Sequence, residues 1–237
     1  PTQYGSTVAI GNVVVSPSEF MPRLFAENGR LLDSQGRITL DTPEALRALE
    51  NYRETYSYSD RTIYDFWKNA LEGFADGTAA MTVVFINYAS HILNSQMSRI
   101  AGKLGFAPVP GGKPLLGGGV IGIAQSCTCP AAACKFLEWL YADLVAPVFT
   151  MLGGLSPCRS AYSNRDISEQ YPWLSTARKS FPTAQRRSNS TYYQNFSELQ
   201  LETILAAHVQ QAVLGVCSPE EALKQAQEDC NRYFQPW

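Results

Sequence analysis

The sequence predicts an α/β fold, because short apolar runs typical of buried strands alternate with segments that carry helix-start signals. Two of these signals are strong. Asp41-Thr42-Pro43-Glu44 and Ser218-Pro219-Glu220-Glu221 each place a capping side chain before a proline and an acid. The run at 79–85 is short and apolar, which favours a buried strand.

In the first half of the chain the predicted elements follow one another without repeats. A strand within 2–15 leads into a helix that starts near Ser16-Pro17-Ser18 and stops at Asn28-Gly29. Two short strands around a turn are predicted for 31–40, and the helix capped by Thr42 follows them. Further helices are predicted for 63–75 and 88–99, on either side of the strand at 79–85.

The second half begins with a loop at 105–119 that is rich in proline and glycine. After it we predict a strand at 120–124, a helix at 130–143 and a helix near 144–152 that ends at Gly153-Gly154. The tail from 188 to 237 is predicted as two helices, one at 199–214 and one opened by Ser218.

Composition excludes some classes of partner. The formal net charge of -2 gives no electrostatic reason to expect nucleic acid or an anionic membrane as partner. Charged residues make up 17% of the chain, below the usual level of about 25%, and neutral hydrogen-bonding side chains take their place. The apolar stretches fall short of the roughly 18 residues that span a bilayer.

The six cysteines give no metal signature. Cys127, Cys129 and Cys134 lack paired Cys-x-x-Cys spacing, and the two histidines, His91 and His208, are remote in sequence. We predict no metal site and no cofactor, and we interpret the cysteines as small buried apolar residues. A disulfide is not deducible from their spacing.

Four groups of motifs, in order along the chain, carry a family resemblance. They are Asn28-Gly29-Arg30-Leu31-Leu32-Asp33 with Ile38-Thr39-Leu40-Asp41-Thr42-Pro43-Glu44-Ala45-Leu46; Phe74-Ala75-Asp76-Gly77-Thr78-Ala79-Ala80-Met81; Gly118-Gly119-Val120-Ile121-Gly122-Ile123 with Lys135-Phe136-Leu137-Glu138-Trp139-Leu140; and Ser218-Pro219-Glu220-Glu221-Ala222-Leu223-Lys224-Gln225-Ala226. Together they make the chain similar to the family 1 extracellular solute-binding proteins of ABC importers, which are maltose-binding-protein-like. The resemblance implies a periplasmic-binding-protein-like fold of type II, with two α/β lobes that close on a ligand by a hinge motion.

The resemblance also implies a division of the chain between those lobes. Residues 1–105 and 155–237 are expected to build the C-terminal lobe, and 106–154 to return to the N-terminal lobe as a strand with helices and crossing loops. Most of the N-terminal lobe, and any signal region, would then lie outside this sequence. The returning segment is expected to expose an apolar patch, whose members are Val120, Ile121, Phe136, Leu137, Trp139 and Leu140.

Sugar sites combine aromatic faces with planar polar side chains, on loops at strand ends and helix starts. Asn87 and Tyr88 follow the strand at 79–85 and meet this requirement. The resemblance places a ligand-contacting aromatic at this turn, usually a tryptophan. The alternative for Tyr88 is a half-buried helix residue.

The remaining candidates lie in four segments. A dense aromatic and amide stretch contains Tyr192, Tyr193, Gln194 and Phe196, with a solvated helix start as the alternative. Gly118 and Gly119 form a glycine run that the family often follows with tryptophan, where this chain has Val120. Two charged residues complete the set. Arg159 is a candidate to bind sugar hydroxyls or an acidic sugar, and the alternative is a salt bridge at the hinge. Glu19 is a candidate to reach the ligand cleft, and the alternative is that it caps the helix or is solvated.

A binding protein is favoured over an enzyme. Glycoside hydrolysis needs two carboxylates about 5–9.5 Å apart, and no pair stands out among Glu19, Asp65, Asp76, Glu198 and Glu202. The common nucleophile, metalloprotease and nucleotide-binding motifs are missing from the sequence. We therefore expect no catalytic residues. A peptide or another small solute is the alternative ligand, and a carbohydrate-active enzyme the weaker alternative.

The expected role follows from the resemblance. It implies capture of a sugar or oligosaccharide and delivery to the membrane permease of an ABC importer. The location would be extracytoplasmic, either periplasmic or anchored at the cell surface as a lipoprotein. The first residues, Pro1-Thr2-Gln3-Tyr4, have neither the basic start nor the apolar region of a signal peptide.

Overall fold

The computed structural model describes residues 2–11, 13–61, 66–163, 167, 169, 171–186 and 188–237. The described helices are α1 (Val15–Ala26), α2 (Pro43–Ser57), α3 (Trp67–Ala75), α4 (Ala89–Leu93), α5 (Pro130–Leu140), α6 (Val145–Met151), α7 (Pro172–Ser180), α8 (Glu198–Leu214) and α9 (Pro219–Tyr233). The described strands are β1 (Tyr4–Thr7), β2 (Ala79–Thr82), β3 (Leu115–Leu116) and β4 (Gln185–Arg186). The fold is a mixed α/β arrangement, rich in helix.

The chain divides into two compact units. The first comprises Pro1–Val84, Val109–Leu116 and Thr183–Trp237, and the second comprises Phe85–Pro108 and Gly117–Pro182. The division expected from the sequence differs from this one. It assigned 85–105 and 155–182 to the C-terminal lobe, and 109–116 to the segment that returns to the N-terminal lobe. The difference has a physical basis, because Ala89, Ala146, Ala161 and Trp173 share one hydrophobic cluster. As lobes of a longer protein, the expected division stays a proposal.

The first unit has its core where α1, α2 and α8 pack together. Phe20, Leu49 and Leu201 are fully buried there. Three helix starts carry side-chain caps, and two of them, at Thr42 and Ser218, are capped as the sequence patterns predict. Thr42 accepts the amide of Ala45 at 3.2 Å, Ser218 accepts that of Glu221 at 3.1 Å, and Ser197 accepts that of Gln200 at 3.4 Å. Strong local cap signals were therefore sufficient to locate α2 and α9, whereas the cap of α8 at Ser197 was not among the predictions.

Strands β1 and β2 form a parallel pair in the first unit, with Tyr4 opposite Ala79 and Ser6 opposite Met81. The hydroxyls of Thr7 and Thr82 hydrogen-bond across the pair at 2.7 Å. Side chains fix the backbone that follows β1. The Tyr52 hydroxyl donates to the Ala9 carbonyl at 2.6 Å and the Gln210 amide to the Ile10 carbonyl at 3.0 Å, which binds this loop to α2 and α8.

The second unit is built around Trp173, which is 2% exposed. Ala146 of α6, Leu174 of α7 and Tyr162 pack in the same cluster. The Tyr162 hydroxyl donates to the Ser156 carbonyl at 2.9 Å, and burial raises the pKa of this phenol above its ordinary value. The sequence analysis did not identify α7, whose start at Pro172 follows a polar segment.

The strand predicted at 120–124 is wrong. These residues have no strand structure and are exposed, because nothing in the described part of the chain pairs with their backbone. The exposed apolar patch expected for this segment is present, and it includes Val120 at 104%, Phe136 at 52% and Trp139 at 56% exposure. No residue of α5 is buried.

Three other elements differ from the sequence predictions. The helix expected at 88–99 is a 3-10 turn at Ile86–Tyr88 followed by the short α4. The two strands expected within 31–40 reduce to one bridge between Leu32 and Ile38, beside a turn held by the Asp33 carboxylate. The helix expected at 63–75 is observed from Trp67, and residues 62–65 lie outside the described residues.

The cysteine interpretation is also wrong for most positions. Cys129 and Cys134 are exposed, Cys127, Cys158 and Cys217 are intermediate, and Cys230 is buried. All six are free thiols. Cys129 and Cys134 lie at the start of α5, a helix that the described part of the chain leaves uncovered, so burial could not be inferred from residue type.

The described part of the chain contains no helix with the length and apolar composition needed to cross a membrane.

Candidate functional site

The turn that follows β2 presents two of the candidate ligand residues in the second unit. Its backbone closes where the Tyr88 amide donates to the Phe85 carbonyl at 3.0 Å, and Ala89 anchors it in the core. Asn87 is exposed and Tyr88 is half-buried. Within the described chain neither side chain has a hydrogen-bond partner. The amide and the phenol are therefore free to bond an external group.

Two glycines let neighbouring segments approach this turn closely. A Cβ at Gly117 would lie 3.2 Å from Phe85 Cε1, and a Cβ at Gly153 would lie 2.2 Å from Ser90 Oγ and 3.4 Å from the Asn87 carbonyl. Gly153 also has a φ of +96°, which other residues rarely adopt. The glycine loop at 117–119 and the end of α6 therefore both border the turn.

Gly118 and Gly119 extend this arrangement with bare backbone. Both are exposed, and a Cβ at either would meet nothing within 4 Å. In the described residues no hydrogen bond uses the backbone amides of these two glycines. Unpaired backbone N–H groups are strong donors. Asn87, Tyr88, Gly118 and Gly119 thus belong to segments that the structure brings together.

Arg159 starts a 3-10 turn at Arg159–Tyr162 in the second unit. Ala161 and Tyr162 bury the end of that turn, while Arg159 itself is exposed. In the described part of the chain, no carboxylate forms an ion pair with its guanidinium. The salt bridge considered from the sequence is therefore not observed there, and the bidentate donor face remains accessible.

The aromatic stretch of the first unit divides into buried and accessible members. Tyr193 is 8% exposed, and its hydroxyl accepts the Ile38 amide at 2.9 Å. Its ring lies 4.9 Å from that of Tyr192, 6.5 Å from that of Phe196 and 5.6 Å from that of Phe234. Tyr193 is therefore a core residue that supports its neighbours.

The amide side chains of the same stretch bind the tail of the chain. Gln194 donates from its backbone to Gln235 at 2.9 Å and from its side chain to Pro236 at 3.1 Å. Asn195 donates to the Tyr233 carbonyl at 2.9 Å. Tyr192, at 36% exposure, and the half-buried Phe196 are the members that present ring surface.

Glu19 has a role that the sequence analysis did not foresee. It is 7% exposed and pairs with Arg23, one helical turn further along α1, at 3.1 Å. Burial raises the pKa of its carboxyl, and the nearby Arg23 charge and hydrogen bond oppose that effect. This carboxylate neither caps the helix nor faces solvent, because its oxygen is engaged inside the first unit.

Among the acids considered for catalysis, Glu19 is paired with Arg23, and Asp65 lies outside the described residues. In the same residues, no group of three or more His, Cys, Asp or Glu side chains could hold a metal ion. The sequence analysis did not predict that Gly153 packs closely against Ser90, beside the turn that carries Asn87. The Gly153-Gly154 pair was visible as a helix stop, but its contact with Ser90 depends on tertiary packing.

Several solved structures of solute-binding proteins have the same fold as this chain. Maltose-bound MalE3 of T. maritima is 22% identical, with a TM-score of 0.81 over 97% of this chain and 60% of that chain. A solute-binding protein from Agrobacterium radiobacter K84 in complex with ribitol is 21% identical, with a TM-score of 0.76 over 98% and 60%. One from Thermotoga Lettingae TMO bound with α-D-tagatose is 25% identical, with a TM-score of 0.71 over 97% and 59%.

The chain therefore spans about 60% of the length of the solved structures that it matches. The sequence profile of one family, described as bacterial extracellular solute-binding protein, matches residues 11–176. The family and the similar structures are solute-binding proteins and not enzymes. Because the profile covers more than half of the sequence, this chain belongs to the bacterial extracellular solute-binding protein family.

Proposed function

We propose that this chain is part of the substrate-binding component of an ABC importer that captures a sugar or oligosaccharide. The observation that carries this proposal is the nature of the similar structures, which were solved with maltose, ribitol and α-D-tagatose bound. All three ligands are neutral and rich in hydroxyl groups. A chain of low charge, with many neutral hydrogen-bonding side chains, suits such a ligand.

The second unit supplies the polar part of the proposed recognition. The Asn87 amide both donates and accepts, so it matches a pair of neighbouring hydroxyls. The free amides of Gly118 and Gly119 add donors with no side chain in front of them. The Tyr88 phenol adds an apolar ring and a polar tip. Together these groups favour a hydroxylated ligand over an apolar one.

The first unit by itself carries a separate group of accessible aromatic rings. Tyr192 and Phe196 present ring faces that can pack on the C–H face of a pyranose, while Tyr193 beneath them holds the stack in position. Gln194, which the sequence analysis also counted as a ligand residue, is removed from the proposal because its side chain already bonds Pro236. Glu19 and Tyr193 are removed because they are buried and paired.

Arg159 widens the range of sugars in the proposal. An accessible guanidinium without an acidic partner in the described chain binds a carboxylate or phosphate in two parallel hydrogen bonds. A substituted or acidic sugar is therefore a second candidate ligand for the second unit. A loss of binding with Arg159→Gln restricted to acidic sugars would identify it.

The proposed partner is the membrane permease of an ABC importer, and the proposed location is extracytoplasmic, as the family description indicates. Periplasmic placement and anchoring as a lipoprotein both fit this proposal. The remaining part of the N-terminal lobe is a further proposed partner, since the solved structures are longer than this chain. The isolated 237-residue chain is expected to bind free sugar only weakly.

The test uses the longer protein, expressed with its upstream coding sequence, and measures thermal stability against a panel of mono- and oligosaccharides, polyols and peptides. A sugar at 100 times its Kd is expected to add about 2.7 kcal/mol of stability. Asn87→Ala should reduce this shift, and Asn51→Ala, an exposed amide on α2, should not. Stabilisation by peptides alone, with no response to any sugar or polyol, would refute the carbohydrate proposal.

A further inference from the structure

A small cavity in the first unit is lined, among the described residues, by two cations and by no acid. Its volume is about 70 Å³, several times the roughly 10–15 Å³ that one water molecule needs. The lining residues are Phe25, Asn28, Gly29, Arg30, Lys113 and Gln185. All of them belong to the first unit, and none of them takes part in the sugar proposal.

The two cations of this cavity lack a carboxylate partner. Within the described chain no acid forms an ion pair with Arg30 or Lys113. The Lys113 ammonium donates a hydrogen bond to the side-chain oxygen of Asn28, which is neutral. A concave site with charges of one sign attracts an ion of the opposite sign. An anion placed between Arg30 and Lys113 would therefore be stabilised by both.

The acids on the adjoining elements are already engaged. Glu27, which precedes Asn28 in the chain, pairs with Arg47 at 2.7 Å. Glu44 of α2 pairs with the same guanidinium at 3.3 Å. Neither acid lines the cavity. Arg47 thus takes both carboxylates, and the charges of the two lining cations are not neutralised by them.

The end of helix α1 does not require these cations as caps. Positive side chains often bond the last carbonyls of a helix. Here the Gly29 amide donates to the Leu24 carbonyl at 2.9 Å, and the Asn28 amide donates to the Phe25 carbonyl at 3.0 Å. The backbone therefore satisfies these carbonyls by itself, and the two cations are left for another group.

The segment that carries Lys113 is fixed against α1. A 3-10 turn at Pro110–Gly112 precedes this lysine. A Cβ at Gly111 would lie 2.3 Å from the Cβ of Ala26, so only glycine allows the turn to approach the helix this closely. Beyond the lysine, strand β3 pairs in parallel with β4. Contacts on both sides thus hold Lys113 in place at the cavity.

Two amide side chains add neutral donors to the cavity. Asn28 has a left-handed backbone with a φ of +64°, a conformation that asparagine adopts more readily than most residues. Its oxygen accepts from Lys113, so its NH₂ group keeps its donors. The Gln185 NH₂ group donates to the Thr183 carbonyl at 3.2 Å and has a second N–H. Together with the cations, these groups suit an anion with several oxygens.

We propose that this cavity binds a small tetrahedral oxyanion, either inorganic phosphate or sulfate. Arg30 and Lys113 neutralise its charge, and Asn28 and Gln185 bond its remaining oxygens. The donors come from three separate segments of the chain, which matches a tetrahedral arrangement of oxygens better than a planar carboxylate. The cavity is far below the about 300–1,000 Å³ of sites for larger ligands, so it does not take a sugar ring.

Isothermal titration calorimetry of the longer protein with sodium phosphate tests the proposal, with the ionic strength held constant by sodium chloride. Saturable binding of one phosphate is expected, and sulfate should displace it. Lys113→Gln and Arg30→Gln should each weaken the affinity by at least about tenfold, because each removes a charged hydrogen-bond donor. Lys224→Gln is the matched control, since Lys224 is an exposed lysine of α9 in the same unit, and its affinity for phosphate should be unchanged.

Four results would overturn the proposal. The first is a wild-type protein without saturable phosphate binding, a measurement that needs no variant to fold. The second is equal weakening by Lys224→Gln, which would indicate general charge screening. The third is tighter binding of acetate than of phosphate, which would assign the cavity to a carboxylate. The fourth is competition between phosphate and a bound sugar. The first three need no sugar, so failure of the sugar proposal remains distinguishable.

Discussion

The Arg23 guanidinium forms an ion pair with the Glu19 carboxylate at 3.1 Å and also lies over the Tyr52 ring, 4.7 Å from its centroid. The side chains of Glu19 and Arg23 are 7% and 14% exposed. Glu19→Ala leaves a buried, unpaired guanidinium, so we expect the free energy of unfolding to fall by about 3–5 kcal/mol. Urea denaturation of both proteins measures the change.

A double variant distinguishes the loss of the whole Glu19–Arg23 ion pair from the loss of one partner alone. Glu19→Leu with Arg23→Met removes both charges and keeps apolar volume, so its cost should be much smaller than that of Glu19→Ala. Glu27→Ala is the surface control, because the Glu27–Arg47 pair is 39% and 49% exposed and should contribute less than about 1 kcal/mol. A double variant as unstable as Glu19→Ala would contradict this account.

The same carboxyl predicts a specific pH dependence. Burial raises the pKa of Glu19 above its ordinary 4.5, so the folded state holds this proton more tightly than the unfolded state. Its contribution to stability is fully present below pH 4.5 and is lost as pH rises through the raised folded pKa. Unfolding measured from pH 4 to 7 should show this fall in the wild type, and Glu19→Gln should lack it.

Asp33 provides a control of opposite sign. Hydrogen bonds from Arg37 and Gln35 lower the pKa of its carboxyl below the ordinary 3.8. Its stabilising contribution is therefore present above pH 3.8 and is lost as pH falls through the lowered value. Asp33→Asn should remove stability at neutral pH but not in strong acid. An equal loss at both pH values would show that the Asp33 charge is not involved.

The sequence was informative wherever the structure depends on local chemistry. The caps at Thr42 and Ser218 lie at the start of helices in the structure, because capping involves residues within one turn. Glu19 and Arg23 also have a visible helical spacing. Their burial, however, depends on α2 and its Tyr52, which the spacing does not encode. The sequence therefore located the helix but assigned the wrong surroundings to its acid.

Features that need a distant partner were not predictable in this way. Residues 120–124 have the composition of a strand, but a strand exists only when a neighbour accepts and donates its backbone hydrogen bonds. The stretch at 192–196 showed its aromatic character, yet the separation of accessible Tyr192 from buried Tyr193 depends on Ile38 and Phe234. Those contacts join segments remote in sequence.

Gly153 should tolerate no side chain. Its positive φ alone costs about 1–2 kcal/mol for alanine, and the added Cβ would also lie 2.2 Å from Ser90 Oγ. Gly102 is the matched control, because its φ is +81° and a Cβ there meets nothing within 4 Å. We expect Gly153→Ala to lower the melting temperature more than Gly102→Ala does. Equal shifts would mean that the contact with the Asn87 turn carries no steric cost.

Tyr192 and Tyr193 should separate ligand binding from stability. Tyr193→Phe leaves the buried Ile38 amide without its acceptor at 2.9 Å, so the free energy of unfolding should fall by about 1–3 kcal/mol with sugar affinity nearly unchanged. Tyr192→Ala removes accessible ring surface, so sugar affinity should fall with little loss of stability. Calorimetry and urea denaturation of the longer protein measure the two effects. The reverse pattern would assign the ligand contact to Tyr193.

The cysteines should react with maleimide in an order set by exposure and protonation. Cys129 and Cys134 are exposed, whereas Cys230 is fully buried, and burial together with Asp229 raises its pKa to about 12. At pH 8 only about 10⁻⁴ of the Cys230 thiol is the reactive thiolate. Mass spectrometry of the native 237-residue chain should therefore find Cys129 and Cys134 labelled within minutes and Cys230 labelled only after urea is added. Native labelling of Cys230 at a similar rate would contradict its burial on the inner face of α9, and slow labelling of Cys134 in dilute chain would show that α5 is already covered.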